Sequence, residues 1–458
     1  MSAASSAAAI ARVWRLVRDS GGVVCPGAWL VVAVALAATT AANAGLTSSE
    51  RQLIGAVDRH APESLALLER AVNINSGTLN FDGVRAVGRL FDPEFRALGF
   101  STRWVDGAPW GRAGHLIVTR AGRAGATRVL LIGHLDTVFE RDSPFQRFER
   151  ASDSTAHGPG VIDMKGGDVV MLLALRALAD AGLLNWLSVT AVLIGDEEKS
   201  GEPLALARRD LIAIADSADA AIGFEDGDGD VRHVVVARRG ASGWRLRTSG
   251  APAHSSLVFR PDVGSGAIYE AARILAAFHD SLSREPYLTV NPGVIVGGTT
   301  VALDEDSSRG TAFGKSNVIA ESTSVTGDLR TVSIEQRERA KATMRRIVAA
   351  SPPHAGASIE FNDGYPPLAP TDGNRRLMGM VDQASRDLGF GAITPVDPAN
   401  AGAADVSFAG GRTAMVIDAM GVKGEGGHTV KETGVLTSLP VQAKRTAVLL
   451  ARLALIRH

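Results

Sequence analysis

The densest supply of metal-binding side chains in this sequence is Gly195-Asp196-Glu197-Glu198-Lys199-Ser200, which follows the apolar run Val189 to Ile194. Three adjacent carboxylates repel one another and raise each other's pKa unless cations compensate them, so the stretch invites a metal ion. A solvated acidic turn is the competing reading, because charge runs usually face water. The choice depends on whether other segments bring matching donors.

Four other segments do. His134 and Asp136 lie in Gly133-His134-Leu135-Asp136-Thr137-Val138, directly after the apolar run Val129-Leu130-Leu131-Ile132. Residues two apart on an extended chain share a face, so the Asp136 carboxylate can orient a metal-ligating imidazole at His134 and raise its basicity. Asp163 stands in the glycine-flanked turn Gly158 to Gly167, ahead of an apolar stretch read as a helix from Asp168 to Ala181. An acid at a helix entrance is stabilised by the helix dipole without any metal. That simpler reading suits Asp168 as an N-cap better than it suits Asp163. Glu225 follows the short apolar run Ala220 to Phe224, and His428 follows the glycines of Gly424-Glu425-Gly426-Gly427. A surface histidine in a flexible loop is the alternative for His428.

Two near-motifs are set aside. Asp226-Gly227-Asp228-Gly229-Asp230 imitates a calcium loop, but Val231 and Ala237 occupy the positions that need Gly and Glu, so it reads as a tight acidic turn. Gly310 to Ser316 resembles a phosphate loop one residue short, with an apolar strand where a helix should begin. No Gly-x-Ser-x-Gly nucleophile elbow is found.

The elements that must carry these residues form an α/β pattern. Buried parallel strands read as continuous apolar runs, and α/β proteins place ligands beyond the carboxyl ends of such strands. His134, Glu197, Glu198 and Glu225 all stand at such ends. Helical periodicity marks Glu63 to Leu98, interrupted at Asn75-Ser76-Gly77, and Asp372 to Leu388. From about Arg239 the order becomes β-α-β-β-α-β, the ferredoxin-like arrangement. The expectation is a catalytic domain with a mixed sheet flanked by helices, in two parts at 45–238 and 353–458, with an inserted ferredoxin-like α+β domain at 239–352.

Residues 1–44 read as an export signal: Arg12, Arg15 and Arg18 precede the apolar run Trp29 to Ala38, and Ala42-Asn43-Ala44 offers a cleavage site after Ala44. A retained signal anchor is the alternative. Cleavage would remove Cys25, the sole cysteine, and with it cysteine nucleophiles and thiolate ligands. The whole chain carries a net charge of -1, and the segment to Ala44 holds three Arg and one Asp, leaving about -3 for the remainder. That balance is no nucleic-acid signature. The expected location is periplasmic or secreted, with no membrane association after cleavage.

Taken together, His134-Leu135-Asp136-Thr137-Val138, Gly160-Val161-Ile162-Asp163-Met164-Lys165-Gly166-Gly167, Asp196-Glu197-Glu198 and the late Gly426-Gly427-His428 resemble the zinc-dependent exopeptidase family of glutamate carboxypeptidase, aminoacylase and succinyl-diaminopimelate desuccinylase. The resemblance covers nearly all of the mature chain. The glutamate carboxypeptidase branch is nearest, through Asn73 to Thr78, Asp196 to Lys199 and Phe224-Glu225. It implies two zinc ions bridged by Asp163, one adding His134 and Glu225 and the other Glu198 and His428. Imidazole and carboxylate donors suit zinc and leave a position open for water, although cobalt or manganese could replace it. By the same resemblance Glu197 is the general base and Asp136 orients His134. The inserted domain resembles the family's lid, which implies a lid and homodimer surface. There His254 stabilises the oxyanion, usually in the partner subunit's site, while Asn317 and Arg330 bind substrate, the latter gripping a carboxylate. The family's Gly-Gly-x-Ser-Asp segment appears here as Gly402-Ala403-Ala404-Asp405, a departure in the substrate loop.

The activity this implies is a di-zinc carboxypeptidase-type hydrolase, cleaving small peptides or N-acyl amino acids beside a carboxylate-bearing residue such as a C-terminal glutamate. An N-acyl amino-acid deacylase or a di- or tripeptidase is the alternative within the family. An inactive metal- or ligand-binding scaffold is the alternative outside it.

Overall fold

The computed structural model of this chain describes residues 45–304 and 309–456. The expected export signal and Cys25 lie outside the described residues. Among the described residues no helix is long and apolar enough to cross a membrane.

The main sheet has six strands in the order Ser101–Asp106, Gly114–Arg120, Leu187–Ile194, Thr127–His134, Ala220–Gly223 and Met415–Ile417. The last four are mutually parallel, and the first two join as an antiparallel edge. Side chains alternate across a strand, and the alternation divides the core. Leu116, Val129, Leu131, Val189, Ala191 and Ile222 face one hydrophobic cluster, whereas Ile117, Leu130, Ile132, Val192 and Ala221 face another.

The first cluster is covered by helices Ser48–Val72, Phe81–Ala97, Lys165–Asp180 and Ser438–Leu453. Lys165–Asp180 is buried around most of its circumference, from Val169 through Leu175. A helix that is apolar on all sides belongs in a core, and this one lies between Ser48–Val72, Ser438–Leu453 and the sheet. It starts at Lys165 rather than Asp168, with Met164 at the N-cap position and no side-chain cap bond. Asp168 therefore lies inside the first turn. It is fully buried, and both its carboxylate oxygens lack a hydrogen-bond partner.

The chain passes into a second unit at Arg238 and comes back from it at Leu368, where the two backbones exchange hydrogen bonds of 3.0 Å in both directions. Between them lies a four-stranded antiparallel sheet in the order Thr289–Gly298, Ser322–Thr331, Gly240–Gly250, Ala355–Asp363. Helices Ala267–Leu282 and Ile334–Ala349 share one core with it, formed by Trp244, Leu246, Ile274, Phe278, Val325, Leu329, Ala340 and Met344. The element order is β-α-β-β-α-β, and the sheet runs on to Asp363, past the boundary expected at residue 352. An extra exposed hairpin, Thr300–Asp304 with Arg309–Phe313, interrupts that order, and the discounted phosphate-loop motif begins on its second strand.

Candidate metal centre

The strand Thr127–His134 lies between Leu187–Ile194 and Ala220–Gly223, so its end sets His134 between Glu197 and Glu198 on one side and Glu225 on the other. Asp163 enters from the turn before Lys165–Asp180, and His428 from the loop between Gly424–Glu425 and Thr433–Val435. The five residues converge as two triads that share Asp163: His134, Asp163 and Glu225, and Asp163, Glu198 and His428. Within each triad one donor atom per residue lies within 4.8 Å of the others. His134 Nε2 is 3.1 Å from Asp163 Oδ1 and 3.7 Å from Glu225 Oε1. His428 Nε2 is 2.9 Å from Asp163 Oδ2 and 3.1 Å from Glu198 Oε2.

Burial differs across the set. His134 is 1% exposed, whereas the His428 side chain is 60% exposed, so the centre is closed beneath His134 and open beside His428. His428 also has φ 62°, a left-handed conformation uncommon for a residue with a side chain.

The donor set fits a cation. Burial pushes the Glu198 and Glu225 carboxyls above their usual range, and repulsion from Asp163 adds to this. Burial acts on Asp163 in the same direction, but its bonds to His134 and His428 outweigh it and hold that carboxyl below the usual range. The bonds to Asp163 and Glu198 push the His428 imidazole up to about 11. Glu198 Oε1 is buried with no hydrogen-bond partner. An orphaned carboxylate oxygen among crowded acids and imidazoles is what a bound cation satisfies. The donors are oxygen and imidazole nitrogen, which suit zinc and its first-row neighbours.

Glu197 lies in the bend after strand Leu187–Ile194 and belongs to neither triad. Its carboxyl is pushed well above the usual range by burial, with His134 opposing and Asp405, Glu198 and Asp163 adding repulsion. Asp136 is fully buried and lies 3.5 Å from His134 Nδ1 through its carboxylate and 3.1 Å through its backbone carbonyl. It also accepts the Thr78 hydroxyl at 2.6 Å.

Several supporting residues carry no sequence signal of their own. Asp418 accepts the Glu225 backbone N–H at 3.2 Å and pairs with Arg238 at 2.8 Å. Asp196, the first of the three adjacent acids, stands apart from the metal triads. It binds the fully buried Arg208 at 2.7 Å, and Arg208 also binds Asp405. Arg208 further donates to the Tyr365 hydroxyl at 2.6 Å, and that hydroxyl donates to the Glu197 carbonyl at 3.0 Å. Asp405, from the departing Gly402–Asp405 segment, thereby belongs to the footing of Glu197. The calcium-loop imitation is a turn whose Asp228 and Asp230 bind His233 and Arg232.

His254, Asn317 and Arg330 lie in the second unit, the one built on the four-stranded antiparallel sheet between Arg238 and Leu368. His254 is exposed, with Nδ1 2.8 Å from the Ser256 hydroxyl. Its neighbour Ser255 donates its backbone N–H to the Asn317 carbonyl at 2.9 Å, which sets His254 and Asn317 side by side. Arg330 pairs with Asp328 at 2.7 Å on strand Ser322–Thr331. The hydrogen bonds of the His254 and Arg330 side chains are local to that unit.

Comparison with known proteins agrees with this layout. Carboxypeptidase G2 of Pseudomonas sp. (strain RS-16) is 25% identical over 404 residues, covering 87% of this chain and 92% of that protein. The fold resembles the aminopeptidase PepT of Bacillus cereus, with TM-score 0.66 and 19% identity over 86% of this chain and 99% of that one. It also resembles the YXEP protein of Bacillus subtilis, described as a dinuclear metal binding peptidase, with TM-score 0.60 and 15% identity over 86% of this chain and 98% of that one. The profile of peptidase family M20/M25/M40 matches residues 130–452, a span that takes in all five converging donors. This chain therefore belongs to peptidase family M20/M25/M40, a family of metal-dependent peptidases and amidohydrolases.

Proposed function

We propose that this chain is an exported two-zinc exopeptidase of carboxypeptidase type, hydrolysing an amide beside a carboxylate-bearing residue, with C-terminal glutamate as the leading candidate. The observation that carries the reading is the pair of triads sharing Asp163, with Glu197 beside them. The likeness to carboxypeptidase G2 supports the carboxypeptidase assignment.

When bound, two metal ions supply Lewis acidity to the scissile carbonyl and to the attacking water. Glu197 takes the proton from that water and delivers it to the leaving amine, a role favoured by a carboxyl whose proton affinity burial has raised. Asp136 keeps the His134 ring oriented and fixes the backbone that carries Glu197. Arg330 grips the substrate carboxylate through a two-point fork once it exchanges Asp328 for it, and Asn317 adds a polar contact. His254, exposed on the second unit, donates to the oxyanion, reaching the partner subunit's site in a homodimer formed through that unit.

The test is amino-acid release by the zinc-loaded protein from C-terminal-glutamate peptides, folate-type conjugates, N-acyl amino acids and simple dipeptides, each with a chelator control. Chelator-sensitive release from the glutamate compounds supports the proposal. Release from acyl amino acids or dipeptides alone redirects it to a deacylase or dipeptidase. No release with two zinc ions bound favours an inactive scaffold.

A further inference from the structure

We propose that Glu432 is the positioning residue that holds Asp163 against the His428 arm and thereby sets how tightly the centre keeps its second metal ion. The inference rests on the two-ion reading above and adds a residue to it.

Three of the five donors, His134, Glu198 and Glu225, stand at or just beyond the ends of adjacent parallel strands, whose ladder fixes them. Asp163 and His428 have no such support, because each lies on a loop. The loops are joined by a short antiparallel ladder in which Thr433 pairs with His157, but the pairing stops there, six residues before Asp163. Glu432 continues the tie where the ladder ends. Its Oε1 accepts the backbone N–H groups of Ile162 at 2.9 Å and Asp163 at 3.3 Å, and its Oε2 accepts that of Gly160 at 3.2 Å. Its carbonyl takes the Gly158 N–H at 3.4 Å.

Glu432 is fully buried, and its carboxylate is held by backbone N–H groups alone. Successive backbone N–H groups of a turn form a concavity for an anion, and here the anion is a side chain four residues after His428. One carboxylate thus fixes the spacing between two donors of the Asp163, Glu198 and His428 triad. The other triad keeps two donors on the sheet and depends on Glu432 only through Asp163.

The variants separate these contributions. Glu432→Gln keeps one carbonyl oxygen for Ile162 and Asp163 but sets an amide against the Gly160 N–H, and Glu432→Ala removes every acceptor. The metal-freed full chain and both variants are titrated with Co2+ alone, followed by calorimetry and by visible absorption. The expected result is two ions bound by the unaltered chain. Glu432→Gln should bind the first ion with unchanged affinity and the second about 10- to 100-fold more weakly. Glu432→Ala should weaken the second further, with a changed cobalt spectrum. Two ions bound by Glu432→Gln with unaltered affinities overturn the proposal. Equal weakening of both ions together with a lower Tm of the metal-free variant also overturns it, because that is a structural role alone. An unaltered chain that binds fewer than two ions overturns the two-ion reading itself.

Discussion

Asp136 accepts the backbone N–H of Glu197 on Oδ1 at 3.0 Å, and its other oxygen accepts that of Glu198 at 3.2 Å. One buried carboxylate at the end of one strand therefore sets the position of two glutamates at the end of the next, besides facing His134. Replacing it by Asn leaves the shape but puts an N–H₂ group where one of those N–H groups needs an acceptor. Asp136→Asn should lower kcat by about 10- to 100-fold, the usual cost of disturbing groups behind a metal centre. Steady-state kinetics on the variant, with its metal content measured in parallel, would check this; unchanged kcat would refute the assignment.

Glu197→Gln should lower kcat by about 10²- to 10⁴-fold, the range for loss of a general acid–base group. Its metal content should stay unchanged, since Glu197 belongs to neither triad. Elemental analysis beside the rate assay separates the two effects, and a variant that still turns over would remove Glu197 from the mechanism.

Chelation should abolish hydrolysis and also destabilise the fold. An ion that binds only the folded chain stabilises it by about 4 kcal/mol when its free concentration is a thousand times Kd. Thermal unfolding with and without chelator should show a lower Tm in chelator, reversed by adding zinc. An unshifted Tm would mean that no ion is held at working concentrations.

Asp168, which belongs to neither triad, predicts a pH dependence of stability. Burial pushes its carboxyl well above the usual range, with His134 and Lys165 opposing. A carboxyl raised in the folded state binds more protons there than in the unfolded chain. Its contribution is thus fully present below the unfolded value, about 3.9, and is lost as pH rises through the folded one. Asp168→Asn should remove that loss and be more stable than the unaltered chain near pH 7 by on the order of 1–3 kcal/mol. Below about pH 4 the two should converge. Denaturant unfolding in chelator across this range is the measurement, and a constant difference would show that the charge is not the cause.

The five donors were legible because three follow short apolar runs, whose ends are where α/β proteins place their ligands, and two follow glycine-rich turns. The order of the main sheet was not. Gly114–Arg120 and Thr127–His134 are consecutive in sequence, yet Leu187–Ile194 lies between them, a pairing decided by tertiary contacts. Asp196 read as one of three equivalent acids because charge repulsion is visible in sequence, while its buried partner Arg208 was not recognised there. Glu432 and Asp418 left no trace for a different reason. They are held in large part by backbone N–H groups, which every residue type but proline supplies. The strands Thr300–Asp304 and Arg309–Phe313 escaped notice because they are largely exposed and lack a strong apolar pattern.

The ladder beneath His134 has a consequence for how this chain tolerates changes in length. Side chains alternate along Thr127–His134, so deleting one residue within that strand while its pairing holds turns the imidazole to the opposite face, the one that carries Val129 and Leu131, and the centre is lost. The hairpin Thr300–Asp304 with Arg309–Phe313 carries no such constraint, since its two strands form a sheet of their own. It can lengthen or shorten in register-preserving steps without moving a donor, which makes it the place to graft a tag or a reporter.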